Sequence, residues 1–315
     1  MTSYHSTTFL ATDGTELAGR VYPASAAAGV TSPGPGIVMS PGFNCVMTML
    51  NFPSLAASLQ AKGVTVLLYD PRGIGSSSGL PRGDIDPPRF VSDLCDALTH
   101  LKSLKPVDAE QIGVLGFSFG GTVALTAAAV DTRVKFVIAV APLTDLDFGS
   151  NGSESQRARV LKKCAQDRES QVLGNDPLMV QVINEKGENP VGFGHSGGID
   201  REKYGKMVRE GRELGEGYVN KVTLQSYWKI ASWAPWPLWK LVGKSTGCKG
   251  VLFVIPGDDE MSYPHLQEMY CDEIRGVAIN KKCVLDGLKH EEVLADENLG
   301  GLVDDVSGFV DQCVR

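Results

Sequence analysis

The sequence has no basic run, no long apolar run and no paired cysteines. Lys and Arg number 30 against 37 Asp and Glu, which gives a formal net charge of −7 and an isoelectric point near 5.3. A nucleic-acid partner or an anionic membrane surface would favour a basic patch, so neither is expected. No apolar stretch approaches the roughly 18 to 20 residues of a membrane span, and Met1–Phe9 has no apolar segment of the signal-peptide kind. The expectation is a soluble, cytoplasmic protein. Seven cysteines, Cys45, Cys95, Cys164, Cys248, Cys271, Cys283 and Cys313, are scattered without a Cys-x-x-Cys pair. Such a set reads as reduced core residues, not as a disulfide frame or a metal site. Nor does any His/Cys/Asp group have metal-ligand spacing. Gly73-Ile74-Gly75 follows an apolar run, but the rest of a dinucleotide fingerprint is missing and serines follow. Neither a metal nor a cofactor is expected.

What is present is enough apolar sequence for a large core. Of 315 residues, 43% are hydrophobic and 21% charged, which suits one core or a core carrying a sizeable insertion. Thr7–Leu10 and Glu16–Tyr22 flank an Asp13-Gly14 pair, the signal of a tight antiparallel hairpin. Ala24–Pro35 is rich in Ala, Gly and Pro and reads as a surface loop. Short, mostly continuous apolar runs then recur at Gly36–Ser40, Val64–Tyr69, Gln111–Gly116, Val134–Val140, Gly250–Ile255 and Lys281–Leu285. Runs apolar on both faces belong in a buried parallel sheet. Helical patterns lie between them: Phe52–Lys62, then Phe90, Leu94, Leu98 and Leu101 after Asp86-Pro87-Pro88, and finally Leu299, Leu302, Val303, Val306, Phe309, Val310 and Cys313. The alternation predicts an α/β fold with a mostly parallel, doubly wound sheet and an N-terminal antiparallel hairpin. Residues 144–246 break it with charges of both signs, clustered glycines and a Trp-rich stretch. That segment is too long for a loop and predicts a helical lid inserted between core segments 1–143 and 247–315. Tyr227, Trp228 and Trp233 either wall an apolar pocket or simply pack between domains.

One stretch carries most of the chemistry. Gly116-Phe117-Ser118-Phe119-Gly120-Gly121 is fed by an apolar run and left by the small-residue run Thr122–Val130. Strand, sharp turn and helix are the context of a nucleophile elbow, in which glycines tolerate the crowding and the Ser118 hydroxyl stands exposed above the sheet. A serine hydroxyl is a weak nucleophile near neutrality; a base must take its proton and a carboxylate must orient the base. With such an elbow the chain order is Ser, acid, His. Among five histidines, His5 and His100 precede the serine, His195 precedes any candidate acid, and His265 follows Pro264 at a helix start. His290, just after the last strand, remains. The acid should leave the strand ending at Ile255, where Pro256-Gly257-Asp258-Asp259-Glu260 offers three carboxylates. Asp259 is the first choice and Glu260 the alternative, because a one-residue shift in the turn would exchange them. Two backbone donors are needed for the tetrahedral oxyanion. Phe119 N–H, at a helix start, is one; Phe43 N–H, in the loop Ser40-Pro41-Gly42-Phe43-Asn44, is the other, with Asn44 a weaker candidate and also a pocket residue.

Tyr69-Asp70-Pro71-Arg72-Gly73-Ile74-Gly75-Ser76-Ser77, read with the elbow and Leu288-Lys289-His290, resembles the α/β-hydrolase superfamily. More narrowly, Met39–Val46, Asp167-Arg168-Glu169-Ser170-Gln171 and Asn184–Pro190 look like the fungal polyketide transferase and thiohydrolase branch, related to dienelactone hydrolases. The resemblance implies an acyl-enzyme formed by Ser, Asp and His at Ser118, Asp259 and His290. It implies a polyketide-type acyl ester or thioester as substrate, carried by a small molecule or a carrier protein, in secondary metabolism. Pro41 departs from the His that most α/β-hydrolases place before the oxyanion glycine. Ser118 stands where true dienelactone hydrolases carry Cys, which argues against dienelactone turnover. A carboxylesterase or lactonase is the neighbouring enzyme reading; a ligand-binding pseudohydrolase or pathway scaffold is the non-enzyme one. Epoxide hydrolases and dehalogenases would need a carboxylate at residue 118.

Overall fold

A computed structural model of the chain describes residues 4–24, 33–146, 154–184, 189–191, 201–244 and 246–315. His195 and most of the predicted Ala24–Pro35 loop lie outside the described residues. The chain opens with strands β1 (His5–Leu10) and β2 (Glu16–Tyr22). Their turn closes as the Asp13-Gly14 pair predicts: Gly14 takes a φ of +85° and Thr15 N–H donates to Asp13 Oδ1 at 3.1 Å. There follow β3 (Gly34–Ser40), α1 (Phe52–Ala61), β4 (Thr65–Tyr69), α2 (Pro87–Lys102), β5 (Val107–Phe117), α3 (Phe119–Val130) and β6 (Phe136–Val140). Helix α2 starts where expected because Asp86 accepts a hydrogen bond from Arg89 N–H at 3.3 Å and prolines fill the first turn.

Between β6 and the next sheet strand the chain forms α4 (Glu154–Val172), β7 (Met179–Gln181), α5 (Arg201–Leu214), β8 (Lys221–Thr223), α6 (Leu224–Ala231) and α7 (Trp236–Trp239). The core resumes with β9 (Gly250–Pro256), α8 (Pro264–Glu273), β10 (Ile279–Leu285), a short 3-10 turn at Glu292–Leu294 and α9 (Asp296–Val314). The main sheet runs β1-β2-β4-β3-β5-β6-β9-β10. It is antiparallel from β1 to β2 and from β2 to β4, and parallel thereafter. Alternate strand residues face opposite layers, which is why the central strands are apolar throughout. Val38, Val114 and Val137 join α2 and α3 on one face, whereas Ile37, Met39 and Leu115 join α1 and α9 on the other. All seven apolar positions of the predicted closing helix are buried.

Strand β10 differs from its prediction as a run buried on both faces. It is the sheet edge, starts at Ile279, and leaves Asn280, Lys281 and Lys282 exposed, because no strand of the described residues lies beyond it. Charged lysines on an edge also block pairing with another chain. Trp236 and Trp239 of the insertion serve packing between elements. Trp239 is buried and donates from Nε1 to Thr126 Oγ1 on α3 at 3.1 Å. Trp236 meets Trp239 edge-on at 5.2 Å and stacks on Tyr270 of α8 at 5.6 Å. No helix of the described residues is long and apolar enough to cross a membrane.

Candidate active site

The site is assembled at the C-terminal ends of β3, β5 and β9 and in the loop after β10. Ser118 sits between β5 and α3 with φ 56° and ψ −124°, a positive φ that L-residues other than glycine rarely adopt. The flanking glycines make the turn fit. A Cβ on Gly116 would lie 2.0 Å from Gly120 O, and one on Gly120 would lie 2.3 Å from Pro41 O and Ser40 O. Either methyl would collide with backbone. The loop after β3 passes directly over the nucleophile, since a Cβ on Gly42 would stand 3.4 Å from Ser118 Cβ.

Three side chains from distant segments meet here. Ser118 Oγ lies 2.8 Å from His290 Nε2, and His290 Nδ1 lies 2.9 Å from Asp259 Oδ2. A carboxylate only accepts, so Nδ1 carries the imidazole proton and Nε2 is left to accept from the serine hydroxyl. All three residues are buried. Burial alone pushes the His290 imidazole toward its neutral form, but the adjacent Asp259 charge and hydrogen bond outweigh it, so the pKa is raised.

The structure brings Asp259 to the imidazole and leaves Asp258 and Glu260 exposed. The turn decides this. Asp259 Oδ1 accepts from Met261 N–H and Ser262 N–H, both at 2.8 Å, which turns the carboxylate inward. Asp258 N–H donates to Leu288 O at 2.9 Å and Gly257 N–H to Leu285 O at 2.8 Å, tying the acid loop to the histidine loop. Phe119 is the first residue of α3, so its N–H has no carbonyl one turn back in the helix. Phe43 lies in the loop over Ser118, with its ring edge-on to Phe119 at 6.1 Å.

Ser118 and His290 open onto a cavity of about 620 Å³. Its inner wall is apolar, with Phe43, Leu50, Phe117, Leu143, Val182 and Leu294, and its rim carries exposed Arg209, Glu213, Asp296 and Glu297. The pocket residues predicted from the sequence do not line it. Asn44 takes a left-handed φ of 54° and donates from Nδ2 to Val219 O at 3.3 Å, which turns it into a separate cleft of about 60 Å³ beside Tyr218 and Lys221. Tyr227 stands one layer back, its hydroxyl accepting from Asn189 Nδ2 at 2.9 Å and its ring 6.1 Å from Phe43. Trp233 packs edge-on against Phe119 at 6.1 Å. Trp228 faces outward, 39% exposed, with the Arg168 guanidinium 4.1 Å over its ring. Much of the real wall comes from Val182, the C-terminal turns of α5 and residues 291–297, which carry no motif, joined by Asn189 of the Asn184–Pro190 stretch. Among the described residues no group of three or more His, Cys, Asp and Glu could hold a metal ion.

Other parts of the recognised motifs brace the site. Asp70 accepts from Met47 N–H at 2.7 Å and Ser76 N–H at 2.9 Å, anchoring the loop after β3. Burial pushes its carboxyl up to about 6, against the lowering effect of those two hydrogen bonds. Arg72 donates from Nε and Nη2 to Oδ1 of buried Asp93, at 2.9 Å and 2.6 Å, and from its backbone N–H to Oδ2 at 3.0 Å.

Comparisons with known proteins identify the fold and the relatives of the chain. The chain is 42% identical over 264 residues to a thiohydrolase of Eupenicillium brefeldianum, covering 84% of this chain and 80% of that one. It is 36% identical over 313 residues to the polyketide transferase claH of Penicillium crustosum, covering 99% and 98%. Among solved structures, DcsB in complex with its substrate analogue superposes with a TM-score of 0.86 at 37% identity, covering 99% of each chain. The alpha/beta hydrolase GrgF from Penicillium sp. sh18 gives 0.80 at 31%, covering 98% of each. With the family model for the alpha/beta hydrolase fold matching residues 35–272, the chain belongs to the α/β-hydrolase family.

Proposed function

We propose that this protein is a serine acyl hydrolase or acyltransferase acting on a polyketide-type acyl thioester or ester in secondary metabolism. The observation that carries the reading is the Ser118–His290–Asp259 chain, at 2.8 Å and 2.9 Å, opening into an apolar cavity. The names of the thiohydrolase and transferase relatives supply the substrate class. His290 Nε2 takes the Ser118 proton as Oγ attacks the acyl carbonyl, and Asp259 stabilises the imidazolium that forms. Phe119 N–H and Phe43 N–H hold the tetrahedral oxyanion; losing one such donor typically costs about 10²- to 10³-fold in turnover. The imidazolium returns its proton to the leaving thiol or alcohol, leaving an acyl ester on Ser118. Water or a bound alcohol or amine then repeats the sequence in reverse. Residues 144–246 act as the lid, a reading supported by Val182, Asn189, Arg209 and Leu214, which line the cavity. A pre-bound acceptor in a dry cavity gains effective concentration over water, so one triad serves transfer as well as hydrolysis. The donor is small or carrier-borne. Seven cysteines outside any disulfide suit a reducing compartment and support a cytoplasmic location.

Treatment with a fluorophosphonate followed by mass-spectrometric site mapping tests the chemistry. Labelling at Ser118, lost in Ser118→Ala, is expected; an unlabelled, folded wild-type protein would exclude the acyl-enzyme reading and favour a ligand-binding pseudohydrolase. Intact mass after incubation with pantetheine thioesters tests the donor, with acyl adducts expected on the wild type alone.

A further inference from the structure

The acid of the site has a partner that belongs to no motif. Gln267, fully buried on α8, donates from Nε2 to Asp259 Oδ2 at 3.0 Å and to Ser262 O at 2.7 Å. Oδ2 is the same oxygen that meets His290 Nδ1. Both hydrogens of the amide are therefore committed, one to the acid and one to the backbone of the turn that presents it. The orientation of the amide is dictated by those neighbours. Exchanging its oxygen and nitrogen would set an oxygen against two acceptors, a carboxylate and a carbonyl. The remaining oxygen, Oε1, meets no donor among the described residues. An apolar residue of the same length would fill this interior position without burying an unmatched acceptor. Ser262 extends the arrangement: its hydroxyl donates to Pro142 O at 2.7 Å and lies 2.9 Å from Thr144 Oγ1, so the turn is also fixed to the segment that leads out of β6.

We infer that Gln267 is a positioning residue for the reaction: through its paired hydrogen bonds to Asp259 Oδ2 and Ser262 O it fixes the carboxylate that orients His290. The inference rests on the acyl-enzyme reading. Gln267 does not line the cavity, so it acts through Asp259 and not on substrate. Its N–H also withdraws charge from Oδ2. Without it the carboxylate becomes a stronger acceptor for His290 Nδ1–H, and the imidazolium is held more tightly. The charged groups facing His290 are Asp259 and Glu291, and of these only Asp259 is hydrogen-bonded by Gln267.

The test is the pH dependence of fluorophosphonate labelling at Ser118 and of ester turnover, in the wild type, Gln267→Met and Gln267→Glu, with melting temperatures recorded alongside. Gln267→Met removes both donors at similar length; Gln267→Glu keeps the shape and, when ionised, places a second negative charge beside Asp259. Both should lower kcat/KM near neutrality by about 10- to 100-fold, the usual cost of a misplaced group. KM should stay unchanged, and the acid limb of the profile should be displaced toward higher pH. A merely structural role would lower stability while leaving the acid limb where it is, and that result overturns the inference, as does unchanged labelling in both variants. Should Gln267→Met fail to fold, the isosteric Gln267→Glu decides alone. Failure of the wild type to label at Ser118 would instead remove the acyl-enzyme reading beneath it.

Discussion

Replacing Asp259 with Asn is the substitution whose outcome the hydrogen-bond pattern specifies most fully. The carboxylate accepts four contacts. Oδ1 faces Met261 N–H and Ser262 N–H; Oδ2 faces Gln267 Nε2 and His290 Nδ1. An asparagine must put its NH2 on one side. On the Oδ1 side it would confront two backbone donors, leaving both unmatched at about 1–3 kcal/mol each. On the Oδ2 side it would confront only one fixed donor, the Gln267 amide. The second orientation wins by roughly the cost of one buried unmatched donor. The NH2 then donates to His290 Nδ1, moving the ring proton to Nε2 and aiming a donor at Ser118 Oγ in place of an acceptor. Serine cannot be deprotonated by that tautomer. The expected loss in kcat is about 10⁴-fold, equivalent to about 5.4 kcal/mol in the barrier. Steady-state turnover of an activated ester measures it, with the melting curve as a check on folding. Glu260→Gln, an exposed neighbour, should stay within about twofold of wild type. An Asp259→Asn enzyme that retained a tenth of its turnover, or a large loss confined to Glu260→Gln, would refute this account of how the imidazole is oriented.

The other expected outcomes concern the base, the brace and the aromatic stretch. Because neutral His290 is the active form and its pKa is raised above 6.5, kcat/KM should fall through a single-proton limb lying above that of free imidazole, a shift that a pH–rate profile reads directly. The same raised pKa has a stability sign: the protonated ring favours the fold fully below pH 6.5, and this contribution fades as pH rises through the folded pKa. Arg72→Met leaves the buried Asp93 carboxylate without its cation and should cost about 3–5 kcal/mol in urea unfolding. Trp228→Ala should leave turnover within about twofold, because its ring faces solvent and Arg168 and not the cavity.

The parallel sheet strands and the elbow could be read from sequence because their causes are local. Two-faced apolar runs specify buried parallel strands. Glycines at 116 and 120 are required where backbones approach within about the width of a methyl group, and that crowding is set by the turn itself. His290 is reachable by chain order together with its place in the loop after the last strand, which sets it apart from His265 at a helix start. The acid was not, because three adjacent carboxylates differ only in where the turn points them. A signal existed nonetheless: an Asp whose side chain bonds the N–H groups two and three residues on belongs to an Asx-type turn, and Asp259 does so with Met261 and Ser262. Asp258 has the same formal spacing, so even that signal needs the fold to choose. The cavity was illegible for a different reason. Its wall is drawn from the loop after β3, two stretches of the insertion and the 291–297 loop, and no periodicity within any one of them marks a residue as facing Ser118. Tryptophan density was a poor guide for the same reason: a large aromatic gains most where it is buried on all sides, so Trp239 is spent joining the insertion to α3. A chain can thus advertise its nucleophile in six consecutive residues while the cavity beside that nucleophile is walled by residues scattered across the insertion, among them Val182, Arg209 and Leu214.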